Sequence, residues 1–297
     1  MRNEFTTAST CAEALRNLAL EGGGFAMFPR GSYRPDSTAW AVLSLAATRS
    51  GSLDQDMVES GRSRLTASQL EDGRVSMSSS NPESFWPTPL AVLAWHGSEN
   101  HAKPCSHAIG FLLETSGKHW VKESGSPLAH DTSIRGWSWT ENTHSWVVPT
   151  ALSILALRIS GFGEHDRVRE GIRLLMDRQL PSGGWNFGNT LTYGKELYPQ
   201  EDCTGLALCA LTDCVSREEV GKSITYLQSR VMQVRTPLSL GWGILGLGAW
   251  GRRPGQATAL VSECMRRQEK YGAYDTTLVS LLLLALAGKE GLLSLFG

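Results

Sequence analysis

Three aspartates stand at equivalent places in this sequence: Asp36 in "RPDSTAWAVLSL", Asp202 in "QEDCTGLALCAL" and Asp275 in "AYDTTLVSLLLL". Each precedes a run of apolar residues almost free of charge. Burial disfavours the charged form of a carboxyl group, so an aspartate in a dry setting keeps its proton. Such an acid can protonate an alkene or an epoxide, and aromatic faces can then stabilise the cation. Trp40, Trp86 and Trp146 are the candidate faces, and Tyr33, Tyr198, Tyr274 and His144 the candidate polar contacts. Arg34 and Arg235 are suited to a carboxylate or phosphate, and His144 to the role of a base beside an acid. A different pairing, Glu83 with Asp202, would suit hydrolysis of a sugar by two carboxylates. A simpler reading applies to all three aspartates. Asp just before a helix caps its free N–H groups, worth about 1 kcal/mol, and a cap can also serve as an acid.

The elements that must position these residues follow a sixfold alternation. Six apolar segments carry a threonine at their third position: Thr38, Thr88, Thr150, Thr204, Thr236 and Thr277. A helix apolar all round is buried all round. Pro87, Pro89, Pro149 and Pro237 fall in first turns, where a missing N–H costs nothing. Between the apolar segments lie charged, amphipathic ones, at about 10–20, 54–69, 101–113, 164–179, 217–230 and 256–268. In "EHDRVREGIRLLMDRQL", Val168, Ile172, Leu175 and Met176 share one helical face. The alternation predicts an all-α (α/α)6 toroid over residues 1–297, six inner helices inside six outer ones, as a single domain.

A turn recurs between outer and inner segments. Its clearest copy is "QLPSGGW", with Gln179, Gly183 and Trp185; weaker copies are Gln69–Gly73–Val75 and Gln268–Gly272–Tyr274. Glycine permits a tight turn, the large residue packs across neighbouring helices, and Gln179 is expected to bond the next repeat. Two connections are long, 116–135 and 186–200, and long loops in a compact repeat fold are often functional.

Composition narrows the classes. The formal net charge of −1 and the absence of a basic run exclude a dedicated nucleic-acid binder. The six cysteines form no CxxC pair, which fits reduced thiols in a cytoplasmic protein and no zinc ribbon. No secretory signal is evident at the N-terminus, and the longest apolar run, near 278–287, is well short of the roughly 20 residues that span a bilayer. This leaves peripheral membrane contact open. The closing "GLLSLFG" is expected to plug the barrel, to form an exposed patch, or to pack on an outer helix.

The "QLPSGGW" turn and the sixfold alternation resemble the terpenoid cyclase and protein prenyltransferase superfamily, in which the turn is the QW motif of squalene–hopene-type cyclases. Proton-initiated cyclases of that family carry D-x-D-D-T-A at the start of an inner helix. The match here is Arg34-Pro35-Asp36-Ser37-Thr38-Ala39, with Asp36 in the proton donor's position and Arg34 and Ser37 in place of the flanking acids. Familiar members add a second helical domain. The zinc-binding prenyltransferase pattern keeps only Asp202; Thr204 and Asp275 stand where Cys and His belong. The C-G-E-Q thioester motif and the Cys-His-Gly of lanthionine cyclases are absent.

The resemblance implies a class II, proton-initiated cyclisation of a linear isoprenoid in an apolar, aromatic-lined barrel. Asp36 would be the donor, supported by Asp202 and Asp275. No metal or other cofactor is implied, except Mg2+ if the substrate is a diphosphate. The alternatives are a non-catalytic toroid that binds an isoprenoid, a peptide or a partner protein, and an (α/α)6 glycoside hydrolase-like enzyme. A cyclase needs a closed apolar cavity, a glycosidase an open polar groove, and a binding module an exposed apolar patch or a filled central hole.

Overall fold

The computed structural model describes residues 2–48, 51–123 and 125–296. Six outer helices, α1 (Arg2–Arg16), α3 (Gly51–Ala67), α5 (Ala102–Glu114), α7 (Asp166–Asp177), α9 (Gly221–Val231) and α11 (Ala257–Arg266), alternate with inner ones. The inner helices are α2 (Pro35–Thr48), α4 (Pro87–Trp95), α6 (Val147–Ile159), α8 (Glu201–Leu211), α10 (Pro237–Ala249) and α13 (Thr276–Ala287). A short α12 (Gln268–Tyr271) precedes α13, and a small hairpin, β1 (Leu191–Thr192) and β2 (Lys195–Glu196), decorates one connection. Each inner helix packs on the next, and α13 closes the ring on α2. The fold is the α/α toroid that the alternation predicts. The first outer helix begins near Arg2 rather than residue 10.

The ring is filled. Along α4, α6, α8 and α13 the buried side chains leave almost no surface accessible on any side. Trp40 of α2, only 5% exposed, meets Trp242 of α10 edge to face, with ring centroids 5.8 Å apart. These helices are not ring neighbours, so the contact crosses the interior. Between α8 and α10 the backbones nearly touch: a Cβ on Gly205 would strike the Trp242 carbonyl.

Four of the six threonines are latches. The hydroxyl oxygens of Thr38, Thr88, Thr150 and Thr204 accept from the backbone N–H of Phe25, Val75, Trp137 and Trp185 at 2.8, 3.0, 3.0 and 2.9 Å. Each latch ties an inner helix to the large or branched residue that ends the preceding turn. The remaining two depart from the expectation. Thr236 is exposed at the start of α10, because only five residues separate α9 from α10 and leave no turn to latch. On α13 the buried residue is Thr276, not Thr277. Its N–H donates to the Met27 carbonyl at 3.1 Å and its hydroxyl to that of Ala26, so the latch becomes the seam that closes the ring.

The glycine turns explain the repeated motif. In three of them a leucine N–H bonds a carbonyl four residues on: Leu20 to Gly24, Leu70 to Arg74 and Leu180 to Gly184. Gly183 sits at φ +99°, and a Cβ there would lie 2.7 Å from the Lys222 backbone, so the turn abuts the next outer helix. Gln179 donates to Ser223 Oγ at 2.8 Å and to the Glu219 carbonyl at 3.2 Å, as expected. Gln69 likewise reaches Pro104 of α5, whereas Gln268 stays in its own turn and accepts from Tyr274 N–H. Two further turns, ending in Phe25 and Trp137, lack the glutamine and so escape the motif.

The opposite end of the ring is covered by the C-terminal segment. Leu292 is fully buried, and Leu295 and Phe296 share a cavity of about 240 Å3 with Leu43, Leu93 and His96. Phe296 meets the His96 ring edge to face at 5.4 Å. Of the three expectations for "GLLSLFG", this is the plug; Gly297 lies outside the described residues. All six cysteines are free, and burial pushes the Cys11 and Cys209 thiols up to about 12, so they act as small apolar residues.

Candidate functional site

The inner-helix N-termini and the long loops share the uncovered end of the ring, and the predicted residues divide between two sides of it. On the α2–α13 side, Asp36 lies in the first turn of α2 and is 4% exposed. Arg34 grips it with two parallel bonds, Nε to Oδ1 at 2.9 Å and Nη2 to Oδ2 at 2.8 Å. Both carboxylate oxygens are therefore acceptors for one guanidinium, a geometry that does not suit the proton donor expected at this position. Asp275 caps α13, its Oδ1 accepting from Leu278 N–H at 2.8 Å. Burial raises its pKa, and the nearby Asp36 charge adds to the rise. The backbone N–H groups of Leu278 and Thr277 and the Arg34 charge oppose it. Asp275 is thus both cap and candidate acid.

Asp202 belongs elsewhere. It lies in the first turn of α8, two inner helices from α13, and burial is the main cause of its raised pKa. The three aspartates do not converge as one constellation. Glu83 is exposed before α4, with α6 between it and Asp202.

The aromatic candidates separate as well. Trp40 is inside the ring against Trp242. Tyr33 is half-buried; its hydroxyl pairs with Ser68 Oγ at 2.8 Å and its ring lies under Arg64. The Tyr274 hydroxyl donates to the Cys264 carbonyl of α11, a packing role. Tyr198 is 88% exposed. Trp86 packs edge to face on Trp139 at 5.5 Å. Arg235 is exposed and bonds only the carbonyls of Met232 and Val234.

His144 and Trp146 fall on the other side, at α6. Their rings are 5.1 Å apart, and Trp120 meets His144 at 5.9 Å. This cluster sits where the two long connections come together. Lys118 N–H bonds the Thr143 carbonyl, Trp120 N–H that of Thr132, and Val147 N–H that of Phe187. Leu128 pairs with Thr192. The Asn186 side-chain Oδ1 accepts from Gly188 and Asn189 N–H, which holds the second loop in a tight bend.

Between the loops lies a cavity of about 100 Å3, walled by Trp120, His130, His144, Trp146, Arg178 and Asn189. His130 is 7% exposed and its Nδ1 is buried with no hydrogen-bond partner. Arg178 is 5% exposed; its Nη1 bonds Asp177 at 3.2 Å and its Nη2 the Asp131 carbonyl at 3.3 Å. Burial pulls this guanidinium down to about 10. Sequence reasoning missed Trp120, His130 and Arg178; loop length pointed at the first two, and no signal pointed at Arg178, which ends α7.

No family model matches the chain, and no curated protein matches it. Solved structures do. A type II terpene cyclase, MstE from Scytonema, superimposes with a TM-score of 0.65 at 11% identity, over 97% of this chain and 99% of that one. A protein from Actinoplanes gives 0.65 at 13% identity, over 97% and 99%. The GH76A α-1,6-mannanase from Salegentibacter sp. HEL1_6 gives 0.63 at 12% identity, over 95% and 98%. Identities this low establish the shared α/α toroid alone. Among the described residues, no helix is long and apolar enough to cross a membrane, and no cluster of three or more His, Cys, Asp or Glu is arranged to hold a metal ion.

Proposed function

We propose that this chain is a ligand-binding α/α toroid whose working site is the pocket between the two long loops. One observation carries the reading. His130 lines a tryptophan-walled cavity, and its buried Nδ1 has no hydrogen-bond partner; a turn of the ring would bring that nitrogen to the cavity. Leaving such a group unpaired costs about 1–3 kcal/mol, and a bound ligand atom would supply the missing partner. The packed ring interior supports the same reading, because side chains occupy the space a barrel-enclosed substrate would need. A screen of small neutral, acidic, basic and sugar-like compounds by thermal shift tests it. Asn189→Trp, which would fill the pocket from its rim, is the control. Ligands that stabilise the wild type and not Asn189→Trp are the expected result. Stabilisation that survives Asn189→Trp, or none with any compound, would overturn the reading.

A second reading is acid-initiated cyclisation of an isoprenoid, favoured by the raised Asp275 carboxyl beside the Arg34–Asp36 pair. MstE is a type II terpene cyclase of matching extent, with geranylgeranyl dihydroxybenzoate as its substrate, so a toroid of this extent suffices for that chemistry in that protein. In this reading Asp275 takes the donor's role. The substrate would lie at the open mouth, near the cavity of about 390 Å3 beside Tyr33 and Pro35. Incubation with linear isoprenoid alcohols, diphosphates with Mg2+, and squalene, followed by mass spectrometry, tests it. A cyclised product lost in Asp275→Asn is expected on this reading, and no turnover of any compound would sink it.

A further inference from the structure

We propose that the inter-loop pocket receives the oxyanion end of a small organic acid, an inference that rests on the pocket being the working site. Its lining is one-sided in charge. Lys118, Arg178 and two histidines face it, and among the described lining residues there is no carboxylate. The nearest acids lie behind the wall and are already paired. Asp177 accepts from Arg178 and from the Asp131 N–H, and Asp131 turns its carboxylate to the N–H and hydroxyl of Ser133. Lys122 is committed to the carbonyls of Leu128 and Ala129.

The buried Arg178 spends one N–H on Asp177 and one on the Asp131 carbonyl. A guanidinium has five, so, among the described residues, these two bonds leave donors that a ligand can use. His130 Nδ1 has no partner. An oxyanion would bond the guanidinium with charge-assisted hydrogen bonds, the stronger kind, and would draw the His130 ring round with Nδ1 as its protonated nitrogen. A cation would find aromatic faces here but would meet Arg178 and Lys118 at close range. A neutral ligand would leave Asp177 as the one acid on the guanidinium. The rest of the wall, Trp120, Leu128, Ile134 and Trp146, is apolar and suits a short hydrocarbon body. A dry cavity of 150 Å3 holds the six carbons of benzene, so about 100 Å3 has room for roughly four non-hydrogen atoms, the acid end of a chain whose tail reaches the rim.

The probes are therefore butyrate, its neutral isostere butyramide, its cationic isostere butylamine, and inorganic phosphate. Affinity would be measured by isothermal titration on the full chain. Butyrate is expected to bind saturably and butyramide about tenfold more weakly or worse. Lys118→Met and His130→Leu should each weaken butyrate several-fold. These variants avoid Arg178, whose loss could disturb folding. Phosphate binding at the same variants' expense, without butyrate binding, would assign the oxyanion to a phosphate. Butyramide or butylamine binding as tightly as butyrate would overturn the anion inference while leaving the pocket as a binding site. Butyrate affinity unchanged in both variants would overturn it too. If no probe binds although the wider screen yields a ligand that Asn189→Trp excludes, the ligand class is wrong. If that screen also fails, the site itself is wrong.

Discussion

Two sides of the same ring mouth carry charged side chains, and they differ in how completely those groups are used. On the α2–α13 side the candidate groups have partners: Arg34 holds both oxygens of Asp36, and Asp275 caps α13. On the α6–α8 side, Arg178 and His130 line a cavity with donors left over. The first side has the residue types that look like chemistry in a sequence. The second has the unsatisfied groups that a ligand completes. Polar residue types mark a mouth; unpaired polar atoms mark a site within it.

The sharpest way to break this contrast is to remove one partner on each side. Arg34→Met would strand the buried Asp36 carboxylate, and the expected loss in a denaturant titration is about 2–3 kcal/mol, the low end for such pairs because Arg34 is a third exposed. Adding Asp36→Asn should recover part of it. His130→Leu should do the opposite. Removing an orphaned buried nitrogen should leave stability unchanged or raise it by about 1 kcal/mol. A loss as large as that of Arg34→Met would mean His130 is structural and the two sides are alike.

The pH dependence of Asp275 is a finer probe. Its folded-state pKa is raised, so its contribution is fully present below the ordinary aspartate value of about 3.9 and is lost as pH rises through the raised value. Asp275→Asn keeps an N-cap of equal rank but does not titrate. The stability of the wild type relative to Asp275→Asn should therefore fall as pH climbs through that window and then level off. A difference that rises with pH would show that the cap and Arg34 outweigh burial. The smallest effect is expected at Tyr198. It is 88% exposed, and Tyr198→Ala should change stability by less than about 0.5 kcal/mol and leave ligand binding intact.

Much of the architecture was legible because it rests on local periodicity. Charge-free segments such as Ser37–Leu45 and Thr276–Ala287 are buried as inner helices, and Thr38, Thr88, Thr150 and Thr204 mark their starts. The pattern misled where a neighbour across the ring decides the outcome. Thr276 replaces Thr277 because the closing seam must reach Ala26 and Met27, some 250 residues away in the chain. Trp40 read as a wall of a cavity, yet its ring is met by Trp242 from a helix that is not adjacent. At the site, the positions of the aspartates were legible but their partners were not. His130 and Arg178 come together because the first long loop folds onto the end of α7, where Asp131 N–H bonds Asp177 and Arg178 bonds the Asp131 carbonyl, and no spacing rule links residues 48 apart.

The central claim, that the working site lies between the loops and not at the aspartates, is best tested by NMR on protein labelled at its histidine and tryptophan side chains and its aspartate carboxyls, titrated with a stabilising ligand. Ligand-dependent shifts are expected at His130, His144, Trp120 and Trp146, with Asp36 and Asp275 unmoved. Shifts confined to Asp36 and Asp275, with the loop residues silent, would contradict it.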